Sequence, residues 1–103
     1  MRVYIAGPYT QGDPAENVRR AIRAAERVIA SGHYPYVPHL NHLWHLISPH
    51  SWEYWMTLDL AFLPACDCMI RLPGESVGAD RETRAAAGLM PIYYSVEAWE
   101  ASL

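Results

Sequence analysis

The 103 residues are 51% hydrophobic, which suits one compact domain around one modest core and argues against two. A formal net charge of −3 leaves no basic footprint for gripping a nucleic-acid backbone, so a small ligand is expected in place of a polymer. No apolar run approaches the span of a bilayer, and the N-terminus leads into a strand instead of a cleavable leader, so a soluble cytoplasmic protein with no membrane partner is expected.

Arg2 to Ala6 alternate as a short apolar strand that stops at Gly7-Pro8. Asp13-Pro14-Ala15-Glu16 reads as an N-cap, a proline at the first helical position and an acid near the free amides. Val18, Ala21, Ile22, Ala25, Val28 and Ile29 then recur at helical spacing to form a packing face, Arg19, Arg20, Arg23, Glu26 and Arg27 fill the other side, and Gly32 ends the helix. Tyr34 to Val37 is a second strand in which Pro35 suggests an edge position. Pro38-His39 opens a loop, Leu40 to Ile47 forms a short histidine-rich helix, and Trp52 to Leu63 an aromatic one that Pro64 ends. Cys66 and Cys68 flank one residue at a third strand, Asp67 to Leu72, and no bridge between them is expected in an extended segment. Gly78 to Gly88 reads as a helix, Met90 to Tyr94 as a fourth strand, and Val96 to Ala101 as a last helix capped by Ser95.

Strand and helix thus alternate four times, which predicts an α/β fold: a small Rossmann-like or flavodoxin-like three-layer sandwich with a parallel sheet of about four strands. Ligands of such sheets gather beyond the carboxyl ends of the strands, where Gly7-Pro8-Tyr9, Pro38-His39 and Pro73 to Val77 should converge on one cleft. Ser76-Val-Gly-Ala-Asp-Arg-Glu82 is the most informative of these loops. A serine, a flexible glycine and a helix N-terminus make an anion seat, with Glu82 beside whatever that anion belongs to. The pattern suits an enzyme acting on a phosphorylated metabolite. Asp80, in the first turn of the same helix, reads as a cap favoured by the helix dipole.

Through Gly7-Pro8-Tyr9, Asp59 and Ser76-x-Gly78-x-x-x-Glu82, followed by an alanine-rich helix and Gly88, the chain resembles the nucleoside 2-deoxyribosyltransferase-like superfamily. It is most similar to the small members, whose pattern adds Asn17, Pro38-His39 and Ser76-x-Gly78-Ala79-Asp80-x-Glu82. The resemblance implies cleavage of an N-glycosidic bond, with Glu82 as nucleophile and Asp59 as the acid. It also implies substrate contacts at Gly7, Pro8, His39, Ser76, Gly78 and Ala79, no cofactor, and a homodimer or larger assembly in which a neighbour completes the pocket. In the transferase branch an aspartate stands six residues before the nucleophile and holds the sugar's 5′-hydroxyl, whereas related 5′-monophosphate N-glycosidases have a serine, as here at Ser76. A carboxylate would repel a phosphate that a hydroxyl and free amides attract, so a nucleotide is expected over a nucleoside.

An oxocarbenium-like state at the anomeric carbon can be captured by a carboxylate, and the departing base needs a proton, which Asp59 supplies if burial raises its pKa. Against these stand an exposed Glu82 paired with an arginine, and an Asp59 that only orders a loop. Tyr9 can reach the sugar or Glu82 through its hydroxyl, or else cover the core. Arg19 and Arg20 could reach a phosphate or form a solvated helix face. His39, His42 and His45 lack the four-residue step that helical zinc ligands prefer, so no metal is expected; His39 lines the base pocket, while the others, with His50, pack or cap. Trp44, Trp52, Trp55 and Tyr54 divide between core, base stacking and a partner surface. Three functions stay open: hydrolysis, transfer of the sugar to a second base, and nucleotide binding without catalysis, with an aromatic interaction surface as a weaker fourth.

Overall fold

The computed structural model describes Met1 to Leu103. Its centre is β1 (Arg2–Ala6), whose Val3, Tyr4, Ile5 and Ala6 have no exposed surface. β1 pairs in parallel with β2 (Tyr34–Tyr36) on one side and β3 (Cys68–Arg71) on the other, and β4 (Ile92–Tyr93) adds beyond β3, giving the order β2-β1-β3-β4. Pro35 lies opposite Val3 on the edge strand, where a missing amide leaves no ladder bond unmade.

Alternation along β1 and β3 builds two different cores. Val3, Ile5, Cys68 and Ile70 face α1 (Pro14–Ala30) and α5 (Val96–Ala101), meeting Ala21, Ala24, Val28, Val96 and Trp99. Tyr4, Ala6 and Met69 face the opposite way, against Leu63 and against Ala79 and Ala86 of α4 (Val77–Ala86). α3 (Trp52–Phe62) lies on this second side, its Leu60 packed against the cluster. Helices on both faces of a parallel sheet make the α/β three-layer sandwich.

Local chemistry sets the helix ends. Asp13 accepts from the amides of Ala15 and Glu16, and Ser51, Ser76 and Ser95 cap α3, α4 and α5 through their hydroxyls. The packing stripe of α1 is narrower than its periodicity predicts. Ala21, Ala24, Ala25 and Val28 are buried while Ile22 and Ile29 are exposed, because the small alanines bring the helix close to the sheet and leave the bulkier residues on its flanks. The outer strands are shorter than read: β2 ends at Tyr36 and β4 keeps only Ile92 and Tyr93. A 3-10 turn at Leu63–Ala65 continues α3 past its expected end and takes up Pro64 near its start. Cys66 falls outside β3, half-buried, and Cys68 is buried within it; both are free thiols.

α2 (Asn41–Ile47) is the exception to this packing, since none of its residues is buried and Leu43, Trp44, Leu46 and Ile47 are exposed. No helix is long and apolar enough to cross a membrane.

Candidate active site

Two glycines let the strand ends meet at the carboxyl edge of the sheet. A methyl group on Gly7 would sit 3.0 Å from the Leu72 Cβ, and Gly74 holds φ at +117° with its missing Cβ position 2.8 Å from Pro8. Arg71, 9% exposed, fixes the turn that follows β3: its guanidinium donates to the carbonyls of Leu72 and Gly74, the latter at 2.9 Å, and to the Asp80 carboxylate at 3.1 Å. That turn delivers Ser76 as the N-cap of α4. Ser76 Oγ accepts the Ala79 amide at 3.0 Å, which leaves its own hydroxyl hydrogen free to donate, and the amides of Val77 and Gly78 have no acceptor in the chain.

The turn opens onto a cavity of about 510 Å³ at the strand ends. Gly7, Tyr9, His39, Asp59, Ser76, Gly78, Ala79 and Glu82 line it, so eight of the nine residues singled out from sequence border one cavity. Pro8 does not. It stands behind the wall, where its carbonyl accepts from His39 Nε2 at 3.0 Å, and its ring lines a separate groove with Arg20 and Arg23. Arg20 pairs loosely with Glu16 at 3.8 Å, and neither Arg19 nor Arg20 reaches the cavity. Asp80 serves the Arg71 clamp instead of the cavity.

Glu82 is 6% exposed and accepts a short hydrogen bond from the Tyr4 hydroxyl. Its hydroxyl partner is therefore Tyr4, one strand residue that points beneath α4, and not the loop residue Tyr9. Tyr9 instead lies edge-on to His39 and His42, with ring centroids 6.4 and 5.2 Å away, and its backbone is tied down by Asn17 Nδ2 at 2.9 Å. Asp59, on α3 and 7% exposed, accepts from Asn41 Nδ2 at 3.1 Å.

Burial governs the ionisation of both acids. Desolvation, with a smaller push from Asp59, raises Glu82 from 4.5 to about 8 against the opposing pull of the Tyr4 hydrogen bond and the Arg71 charge. Desolvation raises Asp59 from 3.8 to about 7 against the Asn41 hydrogen bond. Tyr4 and Tyr36 are pushed up by burial first and by these carboxylates second, so both phenols keep their protons. Two carboxyl groups lining one cavity, both pushed up toward neutral pH by burial, are suited to acid–base work.

The histidines separate by role. His39 is buried, and its Nδ1 has no partner, as is true of His42 Nδ1. His45 Nδ1 accepts from Trp55 Nε1 at 2.9 Å and from the His50 amide at 3.2 Å, and the His50 ring lies against Tyr54, centroids 4.7 Å apart. No group of three or more His, Cys, Asp or Glu side chains gathers as a metal site. Sequence reasoning missed Tyr4, Arg71 and Asn41; the one available signal was a tyrosine and an arginine inside strands otherwise made of small and apolar residues.

The raised carboxyl pKa values carry a stability consequence with a definite sign. Between about 4.5 and about 8 the folded chain keeps the Glu82 proton that the unfolded chain has lost, so this contribution is full below the lower value and is lost as pH rises through the upper one. Thermal unfolding followed across that window should show stability falling with pH, with the fall markedly shallower in Glu82→Gln, whose amide does not titrate. A slope identical in both proteins would contradict the burial argument.

Residues 1–94 match the model of the family described as Domain of unknown function (DUF4406). Among solved structures, the chain is similar to the 2-deoxyribosyltransferase of the psychrotolerant bacterium Bacillus psychrosaccharolyticus at 20% identity and a TM-score of 0.63, over 89% of this chain and 69% of that one. No curated protein matches. At that identity the likeness shows the fold, which is nucleoside 2-deoxyribosyltransferase-like. With nearly its whole length under the family model, the chain belongs to the DUF4406 family.

Proposed function

We propose that this chain is an enzyme, an N-glycosidase that splits a 2′-deoxynucleoside 5′-monophosphate into free base and deoxyribose 5-phosphate. The observation that carries the reading is the meeting, in one cavity, of two buried carboxyl groups and the unsatisfied amides at the start of α4. The phosphate takes hydrogen bonds from the Val77 and Gly78 amides and the Ser76 hydroxyl, next to the positive end of the helix dipole. Glu82 then lies under the sugar.

The Glu82 carboxylate attacks the anomeric carbon as the bond to the base breaks; the electron pair of that bond stays on the base nitrogen, which takes the proton held by Asp59. Water then attacks the same carbon, gives a proton back to Asp59, and frees Glu82 with deoxyribose 5-phosphate as product. The productive form has Glu82 ionised and the proton on Asp59, the reverse of the order set by burial alone, so substrate binding has to move that balance. The Tyr4 hydrogen bond favours that form because it stabilises the ionised Glu82. Tyr9 closes the sugar side of the cavity, and Gly7 lets the substrate approach the backbone.

Transfer of the sugar to a second base uses the same covalent intermediate, and the fold's likeness to a 2-deoxyribosyltransferase favours it as the second reading. The two differ in whether a base outruns water. Self-association completes the proposal: α2 contributes His42 and His45 to the cavity while leaving Leu43, Trp44, Leu46 and Ile47 uncovered, as a face for a second copy would. A reducing cytoplasm suits the free thiols.

Three measurements test this reading. Free-base release from deoxynucleoside monophosphates should fall by about a thousandfold or more in Glu82→Gln while the nucleotide still binds; a new nucleotide formed on adding a second base would shift the assignment to transfer, and unchanged binding with no turnover in either protein would leave a binding module. Ser76→Asp keeps a good N-cap but sets a carboxylate in the phosphate seat, so KM for a monophosphate should rise about tenfold or more while the matching nucleoside loses little. Light scattering of the purified chain should give the mass of a dimer or larger assembly, and Trp44→Glu should shift it toward the monomer; a monomeric parent at high concentration would end that part of the proposal.

A further inference from the structure

The cavity is one-sided in charge. Asp59 and Glu82 line it, and no lysine or arginine does. Each acid spends one oxygen inside the chain, Asp59 Oδ1 on the Asn41 amide and Glu82 Oε2 on the Tyr4 hydroxyl. Asp59 Oδ2 and Glu82 Oε1 have no partner in the chain, yet neither is sealed within it as His39 Nδ1 is, so both keep surface toward the cavity that their residues line. Trp52 and Trp55 line it too, and the Trp52 ring already holds a cation, the Arg81 guanidinium 5.6 Å from its centroid. Free carboxyl oxygens and indole rings, in a cavity with no lysine or arginine of its own, are complementary to positive charge on a ligand.

With the phosphate end at the start of α4, a nucleotide can carry that charge only on its base. Ordinary bases are neutral near pH 7, whereas alkylation of a ring nitrogen leaves the base cationic. We propose that the cavity takes 2′-deoxynucleoside 5′-monophosphates whose base is positively charged through alkylation of a ring nitrogen, and favours them over those with neutral bases. This rests on the reading of the cavity as a nucleotide site and names the substrate class within it. The charge also removes an obstacle in the chemistry. Burial alone protonates Glu82 ahead of Asp59, and a cation in the cavity lowers both pKa values, so that Glu82 ionises and can attack. As a Glu82 oxygen bonds to the anomeric carbon, the electron pair of the breaking bond to nitrogen neutralises the ring, and the base leaves without taking a proton. Water then attacks that carbon, gives its proton to the ionised Asp59, and frees Glu82.

Isomers that differ in where one methyl group sits, and so in charge, test it. The pairs are 3-methyl- against 5-methyl-2′-deoxycytidylate and 1-methyl- against N6-methyl-2′-deoxyadenylate, the first of each being cationic at neutral pH. Calorimetry on Glu82→Gln, which removes turnover and keeps Asp59, should give the cationic member of at least one pair about tenfold tighter binding or more. In Glu82→Gln/Asp59→Asn, with neither carboxyl left, that ratio should shrink severalfold. Single-turnover base release supplies a second readout. Asp59→Asn should slow release from the neutral nucleotides about a hundredfold or more and from the cationic ones less than tenfold, because only the neutral bases take its proton. Equal affinities within both pairs in the single variant would overturn the proposal even if the double variant failed to fold. A ratio unmoved by the double substitution would overturn the assignment to the carboxyls, and equal slowing by Asp59→Asn would overturn the proton-free departure. Binding of none of the four nucleotides would defeat the nucleotide reading itself; binding without preference for charge defeats this inference alone.

Discussion

The hydrogen bond from Tyr4 to Glu82 joins the central strand to α4 across the face of the sheet that borders the cavity. A carboxyl group at this depth needs a donor, and the strand supplies one from a residue whose ring is itself part of the core. The rest of that layer is built to hold the donor still: Tyr4 stacks on Tyr36 at 5.4 Å, and Tyr36 on Phe62 at 5.8 Å. The opposite face carries no such burden. Val3, Ile5, Ile70, Val28 and Trp99 there make an apolar core that anchors the sheet, so the two faces divide stability from chemistry.

The second constraint is the turn between β3 and α4. Arg71 reaches two carbonyls and Asp80, and Gly74 adopts a backbone angle and an approach to Pro8 closed to other residues, which together aim the start of α4 at the cavity. Ser76 and Glu82 are six residues apart on or at the end of that helix, about 9 Å along its axis. An anion at the cap and a carbon above the carboxylate can then belong to one sugar phosphate. The guanidinium of Arg71 also acts at a distance on Glu82, favouring its charged form from behind the wall.

Much of this was legible in the chain. Alternation in β1, the Asp13-Pro14 helix start and the Ser95 cap of α5 are local signals, and each appears where the sequence sets it, whereas α4 runs from Val77 to Ala86 in place of Gly78 to Gly88. The loop carrying His39 and the start of α4, with Ser76 and Glu82, converge because parallel strands must end on one side. What escaped is nonlocal. Alternation says that Tyr4 points toward α4, but nothing short of the folded packing says that its hydroxyl, and not that of Tyr9, meets a carboxyl 78 residues away. The same holds for Arg71, which reads as a charged strand terminus, and for the pairing of His45 with Trp55, which depends on how α2 lies on α3. Pro8 sits in the most recognisable loop yet serves it from behind, by holding His39 through a backbone oxygen that every residue possesses.

A chain of this size has little apolar area with which to offset two dehydrated charges, and the proton count of the cavity reduces that demand. With Glu82 pushed up to about 8 and Asp59 to about 7, the cavity near neutral pH does not hold two full negative charges. The charge that the chemistry needs can then develop when a ligand brings its own compensation, as positive character grows at the anomeric carbon above Glu82 and the departing base draws on the proton at Asp59. Burial thus acts twice on the same two groups. It keeps the resting fold tolerable by leaving the carboxyls partly protonated, and it makes whichever carboxylate does form more reactive than it would be in water.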